Sequence, residues 1–380
     1  MSLLLPLSAS SLLALVSPST GASDPAEVAP LRLEVAGLGA VCLRAAEPGG
    51  TTGAARGTFS GGRVMTPVPP PVPTTSAWSS ALAPIANTFA VDDHGLGILP
   101  GGTVAGWGAN DFGKALPPAG LAGVVSVRAG QNHSYALRLD GTLVGWGSDV
   151  YGQLQTPADL GLARAFATGA DHNVALELDR TVRVWGCETC PFDFGSDDVP
   201  PSLAGVAQLD AEGPISVALR VDGTVSVWGG DTPPSWPFFS ITCGQTDVPA
   251  GLDGVVDVAA GTFHVLALRS DGSVVSWGAT CPSSDFGQAN IPFGLGPVVD
   301  VAAGAQHSLL LLADGTVVGF GLNDDGQADP PLGLNDVVAV DARGFVSAAL
   351  RADGSIVVWG NVGGGLASVP PGPFLIPPGQ

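Results

Sequence analysis

Five histidines, five cysteines and scattered carboxylates are the side chains of this 380-residue chain best equipped for chemistry. His94, His133, His172, His264 and His307 could in principle hold a metal or carry protons. Each, however, stands 13 residues before an aromatic residue that is followed by glycine. Two further repeats place Ile215 and Val346 at the same offset. A position that accepts isoleucine and valine is a packing position, so the imidazoles are expected to be buried scaffold with a local hydrogen bond to backbone. Cys187, Cys190, Cys243 and Cys281 fall in the irregular segments that follow three consecutive repeats. Disulfides, a four-cysteine zinc site and unpaired thiols are all open to them. An exported chain favours disulfides, either Cys187–Cys190 with Cys243–Cys281 or a pattern crossing between repeats. Cys42 is left over.

Other chemical signatures are missing. The repeated Asp-Gly aspartates lack the alternating ligands and distal glutamate of a calcium loop. No nucleophile elbow, phosphate loop or dinucleotide fingerprint occurs. Loop carboxylates such as Asp193, Asp197, Asp198 and Asp285 show no repeated pairing. The expectation is no catalytic residue, no metal and no cofactor. A hydrolase using loop carboxylates around a central channel ranks third among the functional readings.

Recognition chemistry is better represented. The segment from Asp231 to Val248 contains Pro233-Pro234-Ser235-Trp236-Pro237-Phe238-Phe239. Three aromatics in a proline-stiffened loop are candidate partner anchors, because buried aromatics dominate interface energetics. Phe192 and Phe194 can extend that patch. The competing reading is a small loop core folded onto its own rim.

The elements that position these residues follow from an internal ruler. An aromatic-Gly pair recurs at Trp107, Trp146, Trp185, Trp228, Trp277, Phe320 and Trp359. A proline recurs at Pro118, Pro157, Pro200, Pro249, Pro292, Pro331 and Pro370. From each of the first six prolines to the next aromatic is always 28 residues, whereas aromatic to proline varies from 11 to 21. All length variation therefore lies in one loop of a constant module. Within the module a short apolar strand precedes a second strand with bulky residues on one face, such as Tyr135 and Leu137, and alanine between them. That alternation suits sheets stacked face to face. Asp140-Gly141 and its four Asp-Gly equivalents predict two-residue hairpins with both residues at positive φ. Such a turn would set Trp146 opposite Tyr135.

Seven such units predict an all-β, seven-bladed β-propeller of antiparallel three- to four-stranded blades over residues 79–380. Leu375-Ile376 fall where an eighth first strand would begin, and are expected to pair back onto the first blade. Residues 1–22 read as a secretion signal, although Pro6 interrupts the apolar run and no basic residue precedes it. Residues 23–78 read as an irregular Pro/Gly-rich segment. Charged residues make up only 13% of the chain and the formal net charge is −20. So few cations disfavour nucleic acid and anionic membranes as partners, and no run is long enough for membrane insertion. The acidity fits extracellular solubility or steering toward a basic surface.

These residues resemble the repeat of the regulator of chromosome condensation family. The best-quoted example runs from Gly261 through His264, Asp271-Gly272 and Trp277-Gly278 to Phe286-Gly287-Gln288. Glu212 and Ile215 in blade four, and Arg343 and Val346 in blade seven, depart from it. The resemblance implies a propeller, and function through loops on one face, since members serve as exchange factors, enzyme inhibitors or interaction domains. The leading expectation is a secreted or cell-surface, monomeric, protein-binding propeller with a cysteine-stapled rim. The alternative is a structural or adhesion module without a single hot spot.

Overall fold

The computed structural model describes residues 87–187, 190, 194–230 and 243–377, together with four N-terminal strands. The chain divides into two units, Met1–Ala81 and Leu82–Gln380. The first carries an antiparallel sheet of Leu4–Leu7, Leu12–Ser17, Leu31–Glu34 and Ala40–Leu43, in that order. The first two strands lie in the stretch read as a secretion signal, the other two in the stretch read as irregular.

The second unit consists of seven three-stranded antiparallel sheets. The blades run Phe89–Gly108, Val124–Gly147, Ala163–Gly186, Val206–Gly229, Val255–Gly278, Val298–Gly321 and Val337–Gly360. In blade two the first strand is Val124–Ala129, the second His133–Arg138 and the third Leu143–Gly147. Chain direction gives the unit two unlike ends. The turns joining first to second strands, and the variable loops leaving the third strands, share the loop rim. The tight turns joining second to third strands form the hairpin rim.

The hairpins differ from the expected type. Arg138 N donates to Thr142 O at 2.9 Å, so three residues, Leu139-Asp140-Gly141, close the turn. Gly141 alone takes positive φ, at 83°. The Asp140 carboxylate instead accepts from the Thr142 amide at 3.0 Å and its hydroxyl at 2.6 Å. A three-residue loop with glycine at the left-handed position is the next most common hairpin solution.

One extra turn residue shifts the pairing by one and reverses the face on which tryptophan lies. Trp146 pairs with Ser134, and Gly145 faces Tyr135. A Cβ on Gly145 would run into the Tyr135 ring. Each blade therefore shows one face of bulky second-strand residues and another of small residues covered by the indole. The cores lie between blades, where one blade's bulky face meets its neighbour's tryptophan face. Leu96 and Ile98 pack with Val127, Ala136 and Trp146, and Tyr135 and Leu137 with Ala175 and Trp185. The seventh interface is of the same kind: Ala348 and Leu350 of blade seven pack with Phe89, Val91 and Trp107 of blade one. The ring closes. Leu375 N donates to Ile98 O at 2.8 Å, so the C-terminal segment does pair onto the first blade.

Candidate binding rim and axial channel

The histidines link neighbouring blades. His133 Nε2 donates to Asn173 Oδ1 at 2.8 Å, and His94, His172, His264 and His307 bond Ser134, Ser216, Ser308 and Ser347 at 2.7–2.9 Å. Their Nε2 partners are side chains of the next blade, in place of the expected local backbone bond. The relay ends at the variable loop. Ser134 Oγ donates to Lys114 O at 2.9 Å, and Trp146 Nε1 donates to the same carbonyl at 2.7 Å. Gln153 O serves Asn173 and Trp185 alike, and Gln327 O serves Ser347 and Trp359. The residue after each loop glycine is thus buried, and the loop stands on a hydrogen-bonded pedestal.

Burial holds these imidazoles neutral. It lowers His133 and His307 to about 4, and His172 and His264 to about 3. The unfolded chain, titrating near pH 6.5, takes up the protons that the folded state refuses. This stabilisation is complete above about pH 6.5 and is lost as pH falls toward the folded values. Asp92 works with opposite sign: burial and the nearby Glu212 raise it to about 8. Stability is therefore lost as pH rises from the ordinary carboxylate range through about 8. The melting temperature should peak near about pH 6.5. His307→Val should flatten the acid limb and Asp92→Asn the alkaline limb. Scanning calorimetry showing a flat profile between about pH 4 and pH 8 would contradict this assignment.

The cysteines form two disulfides, Cys187–Cys190 within the loop after blade three and Cys243–Cys281 between the loops after blades four and five. Both lie in loops that leave third strands at the loop rim. Trp236, Phe238, Phe239 and Phe192 lie outside the described residues. Phe194 is half-buried in the blade-three loop.

Further aromatics escaped the sequence reading. Phe112, Tyr151 and Phe286 directly precede the loop glycine after blades one, two and five, as the already singled-out Phe194 does after blade three. Phe112 is 64% exposed and Phe286 44%. The Phe/Tyr-Gly pair recurring after four of the seven third strands was the available signal. Around them, Asp111, Asp149, Asp197, Asp247, Asp285 and Asp325 put an exposed carboxylate in each of the first six variable loops. Those loops contain one cation, Lys114, which is 1% exposed and bound to Asp93 at 2.6 Å. The hairpin rim is mixed in sign: Arg138, Arg180, Arg220, Arg269 and Arg351 stand partly exposed beside its turns, next to the exposed turn aspartates Asp140, Asp179, Asp222, Asp271, Asp314 and Asp353.

The axis of the ring holds a second polar region. Register stacks the first-strand residues in three tiers. Asp257 and Asp300 pair with Leu268 and Leu311 near the hairpin rim. Asp210 and Asp341 pair with Val217 and Ala348 one tier deeper, and Arg128 pairs with Tyr135 at the same level. Glu212 and Arg343 pair with Ile215 and Val346 at the loop rim. The last tier explains the two departures from the repeat. Arg343 Nη1 meets Glu212 Oε2 at 3.1 Å across the axis, Arg343 Nη2 donates to Ala211 O at 2.6 Å, and Gly344 N donates to Glu212 Oε1 at 3.1 Å. Blades four and seven, opposite in the ring, are clasped together.

Most channel carboxylates also cover exposed strand edges. Asp210 accepts from Ala260 N at 2.9 Å, Asp300 from Val340 N at 2.9 Å and Asp341 from Val91 N at 2.8 Å, each in the next blade. These carboxylates come from first strands rather than the loops that a hydrolase reading would use.

Three segments, residues 124–153, 255–288 and 298–327, match the Regulator of chromosome condensation (RCC1) repeat. They cover blades two, five and six with the starts of their loops. No curated protein matches the chain by sequence. Among solved structures, Prp20p of Saccharomyces cerevisiae is similar with TM-score 0.52 and 20% identity, over 67% of this chain and 76% of that one. The ectodomain of the Arabidopsis thaliana receptor kinase ACR4 gives TM-score 0.56 and 16% identity, over 72% and 97%. Human WBSCR16 gives TM-score 0.52 and 17% identity, over 68% and 85%. At these identities the likeness speaks for the fold alone. Among the described residues no helix is long and apolar enough to cross a membrane.

Proposed function

We propose that this propeller of regulator of chromosome condensation repeats is an extracellular binding module that takes a basic protein surface on its loop rim. The unequal distribution of charge carries the reading. Exposed carboxylates and aromatics share the loop rim, where Lys114 and Arg343 are both buried, while the hairpin rim sets partly exposed arginines against its turn aspartates. A field of one sign steers an oppositely charged partner, and aromatics on rigid loops supply desolvated contact once it docks. Trp236, Phe238 and Phe239 would add anchors beside the Cys243–Cys281 staple. Two disulfides support an oxidising compartment. The structure reported for Prp20p concerns its binding to Gsp1p and histones, which supports protein binding as the kind of task. Its catalytic inactivity is part of the proposal.

The test is capture from the native secretome on the immobilised full chain, beside Trp236→Ala, with proteins identified by mass spectrometry. The expected prey is strongly basic, is released by about 0.5 M salt, and is lost with Trp236→Ala while thermal unfolding stays unchanged. A prey of acidic or neutral charge, or equal capture by the variant, would defeat the proposal.

A further inference from the structure

The tiers of the axial channel are not equally balanced in charge. At the loop rim Arg343 answers Glu212, and in the middle tier Arg128 lies 3.7 Å from Asp210. The tier nearest the hairpin rim contains Asp257 and Asp300 and no cation at all. Its other polar members are Thr88, Ser126 and Gln208. Asp257 Oδ1 accepts from Gln208 Nε2 at 2.6 Å and Val258 N at 2.9 Å. Asp300 accepts from Val301 N at 3.0 Å and Val340 N at 2.9 Å. These bonds come from neutral donors, so they orient the carboxylates and leave the charge in place. Burial raises both aspartates; Asp257 is the main like charge acting on Asp300, and Asp210 acts on Asp257, which Arg128 of the next tier offsets in part.

The tier borders a cavity of about 170 Å³ that Asp257, Asp300, Gln208, Thr88 and Arg128 help to line. One polar atom on its wall that can accept, Thr88 Oγ1, is buried and lacks a hydrogen-bond partner, on a residue only 4% exposed. Buried polar groups of this kind ordinarily have a partner. The space therefore calls for an occupant that is cationic, small and able to hydrogen-bond outward.

Size and spacing narrow the choice. Among the described residues no three His, Cys, Asp or Glu side chains stand close enough together to hold a bare metal ion. The cavity, about 170 Å³, runs past all three tiers, with Asp210, Asp341 and Arg343 also on its wall, and leaves room for an ion that keeps its waters. Magnesium dehydrates reluctantly and is commonly held by carboxylates through its own waters. We propose that the axial cavity binds one hydrated divalent cation, magnesium in preference, through Asp257, Asp300 and Thr88 as outer-sphere acceptors. The ion balances the uncompensated tier and joins blades one, five and six across the axis. This site is independent of the loop rim and of whatever that rim recognises.

The experiment uses the full chain stripped with chelator, followed by differential scanning calorimetry. Magnesium chloride at 10 mM should raise the melting temperature by about 5 °C, and sodium chloride at matched ionic strength should raise it by less than about 1 °C. In Asp257→Asn/Asp300→Asn the magnesium shift should vanish, while the metal-free variant melts above the metal-free parent because a like-charge pair is gone. Should that variant fail to fold, Thr88→Val keeps the test open, with an expected loss of about tenfold in magnesium affinity by isothermal titration, one outer-sphere bond's worth. Equal shifts from sodium and magnesium, a full shift retained by the variants, or a response to putrescine but not to magnesium would each overturn the proposal.

Discussion

Arg343→Ala should lower the stability of the propeller by about 3–5 kcal/mol, the usual consequence of removing one partner from a buried ion pair. On a unit of this size that is about 10 °C in melting temperature. The arginine is 4% exposed and Glu212 is 7% exposed. Without the guanidinium, Glu212 keeps only the Gly344 amide, and Asp341 and Asp92 lose their main cationic neighbour. The companion variant matters more than the single one. Gly130, Gly169, Gly261 and Gly304 occupy this tier in four other blades, so Glu212→Gly/Arg343→Gly restores the ordinary repeat and removes both buried charges. It should recover more than half of the loss in urea unfolding. A double variant as unstable as Arg343→Ala would show that the clasp is not a coupled pair.

That pair also marks the boundary of what the sequence discloses. Glu212, Ile215, Arg343 and Val346 are visible as exceptions to the ruler, and each taken alone reads as decay of the repeat. Only a closed ring of seven places blades four and seven opposite one another, turning two exceptions into one interaction. The blade count and the variable loop were legible because both are properties of spacing. The face of the tryptophan was not, because one turn residue decides it: Asp140-Gly141 fits both a two-residue and a three-residue hairpin, and the choice reverses the side on which every later side chain falls. The histidines were recognisable as packing residues from Ile215 and Val346, yet their partners, such as Ser134 and Asn173, belong to the next blade and leave no local trace. The channel carboxylates are the deepest case. Asp257, Asp300 and Asp341 read as ordinary polar breaks in apolar strands until curvature brings the first strands around a common axis.

Phe374→Ala should cost about 3–5 kcal/mol, as expected for emptying a buried aromatic site, and the reason lies in a departure within blade one. Where other blades have alanine between the bulky residues, as at Ala136, Ala175 and Ala218, blade one has Gly97. Phe374 comes from the C-terminal segment to fill the space over that glycine. It is 3% exposed, its ring lies 5.8 Å from that of Trp107, and its amide donates to Gly354 O at 2.7 Å. The ring is thus locked by chain from beyond the seventh blade laid into the first. A Cβ on Gly97 would collide with the Phe374 ring, which gives the interaction a signature in sign. Gly97→Ala should destabilise the parent by about 1–3 kcal/mol through overpacking. In the Phe374→Ala background the same change should be neutral or stabilising, because it restores part of the lost contact and removes the backbone freedom of glycine. Leu332→Ala, at a side chain fully open to solvent, is the control and should leave unfolding unchanged. If Gly97→Ala costs the same with and without the phenyl ring, the C-terminal segment is not what holds the first and seventh blades together.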